Sequence, residues 1–146
     1  LDSEREYLAH LLCLGGTCRY RFNERDYELH AGDLSIVRKR KMIEKVEPSD
    51  DFQCKIIYAS PGFIELCTPQ SNYGMKGSLA LFLNPVMHLT PEQQIVCRRD
   101  FELLELRIRD TEHRFYRETL VNAMQAAILD FFDFHARIYG ESDIPS

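Results

Sequence analysis

Apolar and polar positions change rhythm along this chain, and each change predicts a different element. From Thr17 the residues Cys18, Tyr20 and Phe22 alternate with Arg19 and Arg21, the two-residue repeat of a half-buried strand. Asn23-Glu24-Arg25-Asp26 then has turn chemistry and Tyr27-Glu28-Leu29 alternates again, which predicts a β-hairpin. Ala31-Gly32-Asp33 makes a second turn before Leu34-Ser35-Ile36-Val37, and Phe52 to Tyr58 forms another β-prone run. Short strands separated by turns at this spacing predict a small sandwich or barrel rather than βαβ units. Ahead of them, Ser3 to Leu12 opens with a Ser-x-x-Glu capping box and sets Tyr7, Leu8, Leu11 and Leu12 on one stripe. That fits a short helix or, equally, an extended arm ended by Gly15-Gly16.

The middle of the chain is less periodic. Ser60-Pro61-Gly62-Phe63-Ile64 can start a helical turn, 73–78 reads as loop, and Leu79 to Leu83 reads as a last strand. At Leu89 the character switches. Thr90-Pro91-Glu92-Gln93 combines an N-cap Thr, Pro at the first helical position and Gln at the capping-box position, so a helix is predicted from there to about Arg109. A second helix is predicted from near Thr111 to Tyr139, with Gly140 at its C-terminal cap. Its apolar positions Tyr116, Leu120, Met124, Ala127, Phe131, Phe134 and Ile138 recur at steps of three and four, close to a heptad seam. At ~1.5 Å rise per residue the helix is roughly 40 Å long, more than a small barrel covers. Phe115, Val121, Ile128 and Phe132 widen the apolar surface, so two partners are expected: the preceding helix and the same pair in a second subunit. The competing expectation is that both faces pack within one subunit.

Composition narrows this picture. With 146 residues, 45% of them hydrophobic and 28% charged, the chain has the content of one globular domain. A net charge of -5 argues against a nucleic-acid-binding domain. The basic run Arg38-Lys39-Arg40-Lys41, beside the acidic stretch Glu44 to Asp51, reads as a solvated strand end or loop. No apolar run approaches the roughly 20 residues that cross a bilayer, and Leu1-Asp2-Ser3-Glu4 lacks the features of a secretory signal, so a cytoplasmic protein without membrane contact is expected. The five cysteines have no metal-ligand spacing and read as reduced, buried thiols.

Catalytic parts are missing from the sequence. None of His10, His30, His88, His113 and His135 forms an H-x-H pair with a downstream Glu, so neither a metal nor another cofactor is expected. No nucleophile elbow, P-loop or dinucleotide fingerprint occurs, and no catalytic residue is assigned. Glu28 with His30 and the pair Asp50-Asp51 read as surface groups. The aromatics Tyr20, Phe22, Tyr27, Phe52 and Tyr58, with Ile36, fall by strand parity on the inner face of a barrel, where they could line a small-molecule cavity or simply pack a core.

The segment Gly16 to Val37, with alternating aromatics turning into Tyr27-x-Leu29 and a Gly32-Asp33 turn leading into the next strand, resembles the opening of the cupin-type N-terminal domain of AraC-family transcription regulators. Asp51 to Ser60 resembles the strand that follows the first barrel turns, and the two terminal helices are similar to the helices that follow the barrel in that family. The variants most alike are those of Bacteroides-like bacteria. The resemblance implies an α+β, mainly β fold: a cupin-like double-stranded β-helix or jelly roll over 1–88, two antiparallel helices forming a dimerisation hairpin over 89–140, and the start of a linker over 141–146. It also implies a ligand-sensing homodimer, with a possible small-molecule effector and with DNA bound only through a helix-turn-helix half absent from these residues. Two alternatives share the barrel. One is a stand-alone metal-independent cupin enzyme or small-molecule-binding protein using Tyr58, His30 and Glu28, and the other is a cyclic-nucleotide sensor, whose Gly-Glu and Arg phosphate cassette has no convincing copy here.

Overall fold

A computed structural model describes residues 2–70 and 72–140. The expected linker, 141–146, and the side chain of Ser3 in the first capping box lie outside the described residues. The order is α1 (Asp2–Arg5), β1 (Leu8–Gly15), β2 (Thr17–Phe22), β3 (Arg25–His30), β4 (Leu34–Val37), a 3-10 turn (Arg40–Met42), β5 (Ile43–Pro48), β6 (Gln53–Ala59), α2 (Pro61–Cys67), α3 (Asn72–Leu83), β7 (Val86–Met87), α4 (Pro91–Arg109) and α5 (Tyr116–Tyr139).

The strands form two antiparallel sheets, of order β6-β1-β4-β7 and β3-β2-β5. The β2–β3 hairpin turns through Asn23 and Glu24, both at positive φ (51° and 65°), the left-handed pair whose twist suits a two-residue hairpin loop. The next turn uses Gly32 at φ 94°, where an added Cβ would lie 2.5 Å from the Gln94 side chain.

Side-chain parity in the four-stranded sheet organises the rest. Cys13, Val37 and Val86 face the three-stranded sheet and pack with Cys18, Tyr20, Phe22 and Leu29. Leu12, Leu34, Ile36, Ile57, Ala59 and Met87 face the other way, into a larger core with Phe101, Leu104, Met124, Ala127, Ile128, Phe131 and Phe134 of the last two helices. The molecule therefore has three layers, with the four-stranded sheet in the middle. Both faces of β4 are covered, and all four of its residues are buried.

Thr90 Oγ1 accepts from Gln93 N–H (3.2 Å) and Gln93 Oε1 accepts from Thr90 N–H (2.9 Å), so the expected capping box opens α4. Helix α5 starts at Tyr116, five residues later than expected, and ends before Gly140 at φ 84°. Tyr116 Oη donates to the Ile108 carbonyl (2.9 Å), and residues 110–115 return the chain so that the two helices run antiparallel. Tyr139 Oη donates to the Val86 carbonyl (2.6 Å), tying the far end of α5 to β7.

Three expectations change and one alternative is decided. Residues 8–12 take the extended alternative and not the helix; the inward face of β1 is Leu8, His10 and Leu12, and a buried His disguises the alternation. Residues 73–83, expected as loop and strand, are helix α3, so helix outweighs strand and the fold is α+β without being mainly β. β5 had no sequence signal, because it is a largely exposed edge strand with no inward face to mark it. The seam on α5 has a different partner from the one expected: Met124, Ala127, Phe131 and Phe134 are buried within the chain's own core, with Leu120 and Ile138 packed against it. The four buried residues are thus covered by the chain itself, while Leu120, Ile138 and Tyr116 are half-buried, Tyr116 beside α4.

Candidate ligand-binding site

Where the N-terminal segment crosses the end of β4, the chain leaves a cavity of about 840 Å³, inside the range of roughly 300–1,000 Å³ typical of small-molecule sites. Five elements meet around it. Arg5 and Glu6 come from α1 and its exit, Leu8 from β1, Arg38 to Lys41 from the end of β4 and the 3-10 turn, Pro61 from α2, and Leu79 and Phe82 from α3. Among the described residues five cationic side chains, one carboxylate (Glu6) and four apolar residues thus line the cavity.

The basic run is held in shape. Arg40 Nε donates to the Tyr7 carbonyl (2.7 Å) and its Nη2 donates to the Glu4 carbonyl, while the guanidinium lies 4.8 Å from the Tyr58 ring centroid. Lys39 Nζ sits 5.6 Å from the Phe82 ring centroid, and the same ring meets Phe22 edge-on at 5.8 Å. Phe82 thereby joins the cavity lining to the aromatic layer between the sheets. A second, smaller space of about 30 Å³, room for about a single water, adjoins it and shares Leu8 and Arg38 with the first.

The six residues expected to line a barrel cavity separate into three groups. Tyr20 and Phe22 are buried in the layer between the sheets with Tyr27 and Phe52 against them, and Tyr20 stacks on Tyr27 at 5.5 Å. Tyr20 Oη shares a 2.7 Å hydrogen bond with Ser35 Oγ, and burial raises its pKa, so the phenol stays neutral. Ile36 belongs to the helix-side core, one residue out of phase with that layer. Tyr58 lies on the same face of its sheet as Val37, since both pair with Ala9, but on the edge strand β6 it is 52% exposed beneath Arg40. Of the six, Ile36 alone sits on the opposite face, a slip of the kind that a two-residue period makes easy. What the sequence reading missed was the cavity itself, whose walls come from five separate elements. Its one local signal was the run Arg38 to Lys41, set aside as solvated.

Two other polar groupings stand apart. At the Gly32-Asp33 turn, His30, Asp33 and His88 each offer one ligand atom, all within 4.8 Å of one another, an arrangement able to hold a cation. The buried Asp33 carboxylate already has two partners there: Oδ2 accepts from His30 N–H (2.7 Å) and lies 2.9 Å from His88 Nδ1, which accounts for it as a lock on the turn. The side chains of His30 and Glu28, 3.6 Å apart, are both exposed, as expected of surface groups. Tyr58 pairs with Ala9 at the start of β1 whereas this turn bonds Cys13 near its end, so Tyr58, His30 and Glu28 do not converge into an acid–base site. Between α4 and α5, the carboxyl of Asp100 faces that of Asp130. Burial first, and then that neighbour, push Asp100 up to about 8.

Two stacked antiparallel sheets backed by a helix pair, opening on a roomy cavity, define a domain suited to holding a small molecule. Residues 6–89 match the family of AraC-like ligand binding domains, and the chain belongs to that family. No curated protein is similar enough to the chain to count as a match. Among the described residues no helix is long and apolar enough to cross a membrane.

Proposed function

We propose that this chain is the effector-sensing and dimerisation part of an AraC-type transcription regulator, with DNA contact made by a helix-turn-helix segment beyond these residues. The observation that carries the reading is the cavity, because it lies within a region that matches a ligand-binding family and its residues come from the arm, the sheet and the helices together. The two facing sheets are read as the cupin-like barrel and 89–140 as its helical companion. An effector changes transcription only by favouring one arrangement of the protein over another, and a cavity walled by five elements couples its occupancy to their relative positions.

Dimerisation is assigned to α4 instead of the α5 seam. Opposite its buried face of Cys97, Phe101 and Leu104, α4 exposes Ile95, Val96, Leu103 and Leu106, apolar positions that no described residue buries. Light scattering on Leu103→Glu/Leu106→Glu tests this, with a shift from dimer to monomer expected. An unchanged mass would remove the α4 interface.

Sensing is tested by thermal shift with a panel of small metabolites, neutral sugars and alcohols included, against both the unmodified chain and Leu79→Arg, which fills the cavity from an exposed position. A stabilising ligand whose effect vanishes in Leu79→Arg supports the reading, and a panel in which every effect survives that substitution refutes it.

A further inference from the structure

We infer that the cavity takes an amphipathic anion, a small molecule carrying a carboxylate or phosphate group on an apolar body; this rests on the sensing reading and names its ligand class. Three observations support it. First, the charge is misplaced for a chain whose net charge is -5: Arg5, Arg38, Lys39, Arg40 and Lys41 line the cavity with, among the described residues, one carboxylate, Glu6. Adjacent like charges repel, yet among the described residues Glu6 is the one carboxylate that lines it beside them.

Second, the cations divide into those already engaged and those free. Arg40 is held by two backbone carbonyls and the Tyr58 ring, and Lys39 lies over Phe82. Arg38 is exposed, as is Lys41, and neither has an ion pair or hydrogen bond among the described residues. The engaged pair fixes the 3-10 turn, and the free pair is presented at the cavity on a backbone already ordered, so an anion meets preorganised donors. Guanidinium suits the two-oxygen geometry of carboxylate and phosphate alike.

Third, the other side chains around the cavity are apolar. Leu8, Pro61, Leu79 and Phe82 complete the lining, and Phe82 lies under Lys39. A nucleic-acid backbone would have no use for that surface, and a bare inorganic anion would leave it wet. A ligand with a charged head and an apolar tail matches both surfaces.

Isothermal titration with octanoate, octyl phosphate, 1-octanol and inorganic phosphate tests the assignment on this chain. Octanoate or octyl phosphate is expected to bind at least tenfold more tightly than 1-octanol and than inorganic phosphate, and the tighter of the two identifies the head group. Raising the salt from 0.05 to 0.5 M weakens that binding, because the mouth is open and its field is screened within about 10 Å. In Arg38→Ala/Lys41→Ala the anion's affinity falls at least tenfold while the melting temperature of the ligand-free protein is unchanged, since both side chains are exposed. Equal binding of 1-octanol and octanoate would overturn the anion assignment and leave sensing intact. Equal binding of inorganic phosphate would overturn the apolar half of it. If none of the four binds, the ligand class is wrong, and the Leu79→Arg panel decides separately whether the cavity senses anything.

Discussion

The two layers on either side of the four-stranded sheet are built from different chemistry. Between the sheets, the core is aromatic and its buried polar contact is a neutral one, Tyr20 to Ser35. On the helix side, the core is larger, but it encloses titratable groups. His10 is buried with Nδ1 3.1 Å from the Ile57 carbonyl and its ring stacked on Phe131, and Asp100 faces Asp130. Burial raises the Cys13, Cys18 and Tyr20 pKa values, so the sheet layer responds only to alkaline pH, whereas between about pH 4 and 8 the helix layer, through His10 and Asp100, should carry the larger pH dependence.

The largest effect that separates the layers is mechanical. Phe131→Ala removes a ring that contacts Phe101, Phe134 and His10, and is expected to cost ~3–5 kcal/mol in a denaturant titration. A loss below about 1 kcal/mol would mean that the helices are not the main support of the sheet. Next comes acid. Burial lowers the His10 pKa from 6.5 to about 4, so the unfolded chain binds a proton that the folded one refuses between those values. Stability is full above pH 6.5 and falls as pH drops towards 4, by about 3 kcal/mol for a shift of this size. In His10→Asn that acid slope should disappear, whatever the variant's absolute stability.

The sheet layer supplies the contrast. Tyr20→Phe removes one buried hydrogen bond and is expected to cost about 1 kcal/mol, equally at pH 5 and pH 8. A pH-dependent cost would contradict the division. The smallest effect runs in the opposite direction to that of His10: Asp100 is only half-buried, so solvent screens most of what its shift would otherwise contribute. The raised pKa of Asp100 means that the folded state keeps a proton the unfolded chain has lost, so stability declines as pH rises from about 4 towards about 8. Asp100→Asn removes that decline. Its melting temperature should exceed that of the unmodified chain by ~2–4 °C at pH 9, the equivalent of about 1 kcal/mol in a domain of this size, and the gap should close towards pH 5.

How much of this was legible in the sequence depends on whether a residue's role is local. The hairpin through Asn23-Glu24 and the cap at Thr90 to Gln93 were readable because turn and cap chemistry act within four residues. The seam on α5 was read with the correct spacing, but spacing says that a face is buried and not what covers it; Phe131 turned out to meet Phe101 of the same chain. His10 hid a strand, since a polar letter at an inward position breaks the alternation that marks one. β5 was hidden for the opposite reason, having no buried side to generate a pattern. The cavity needed long-range assembly. Arg5, Arg38, Pro61 and Leu79 are far apart in sequence, and only the fold shows that Arg38 to Lys41 line a wall.

Strand β4 has one more consequence. It lies between β1 and β7, with sheet on one side and helices on the other, so no local fraying exposes its amides. In hydrogen–deuterium exchange its N–H groups should be released only with opening of the whole domain, while those of the edge strand β5 exchange through local motions. The slowest-exchanging segment of the protein then ends one residue before Arg38, which places the basic wall of the cavity at the end of its most rigid element.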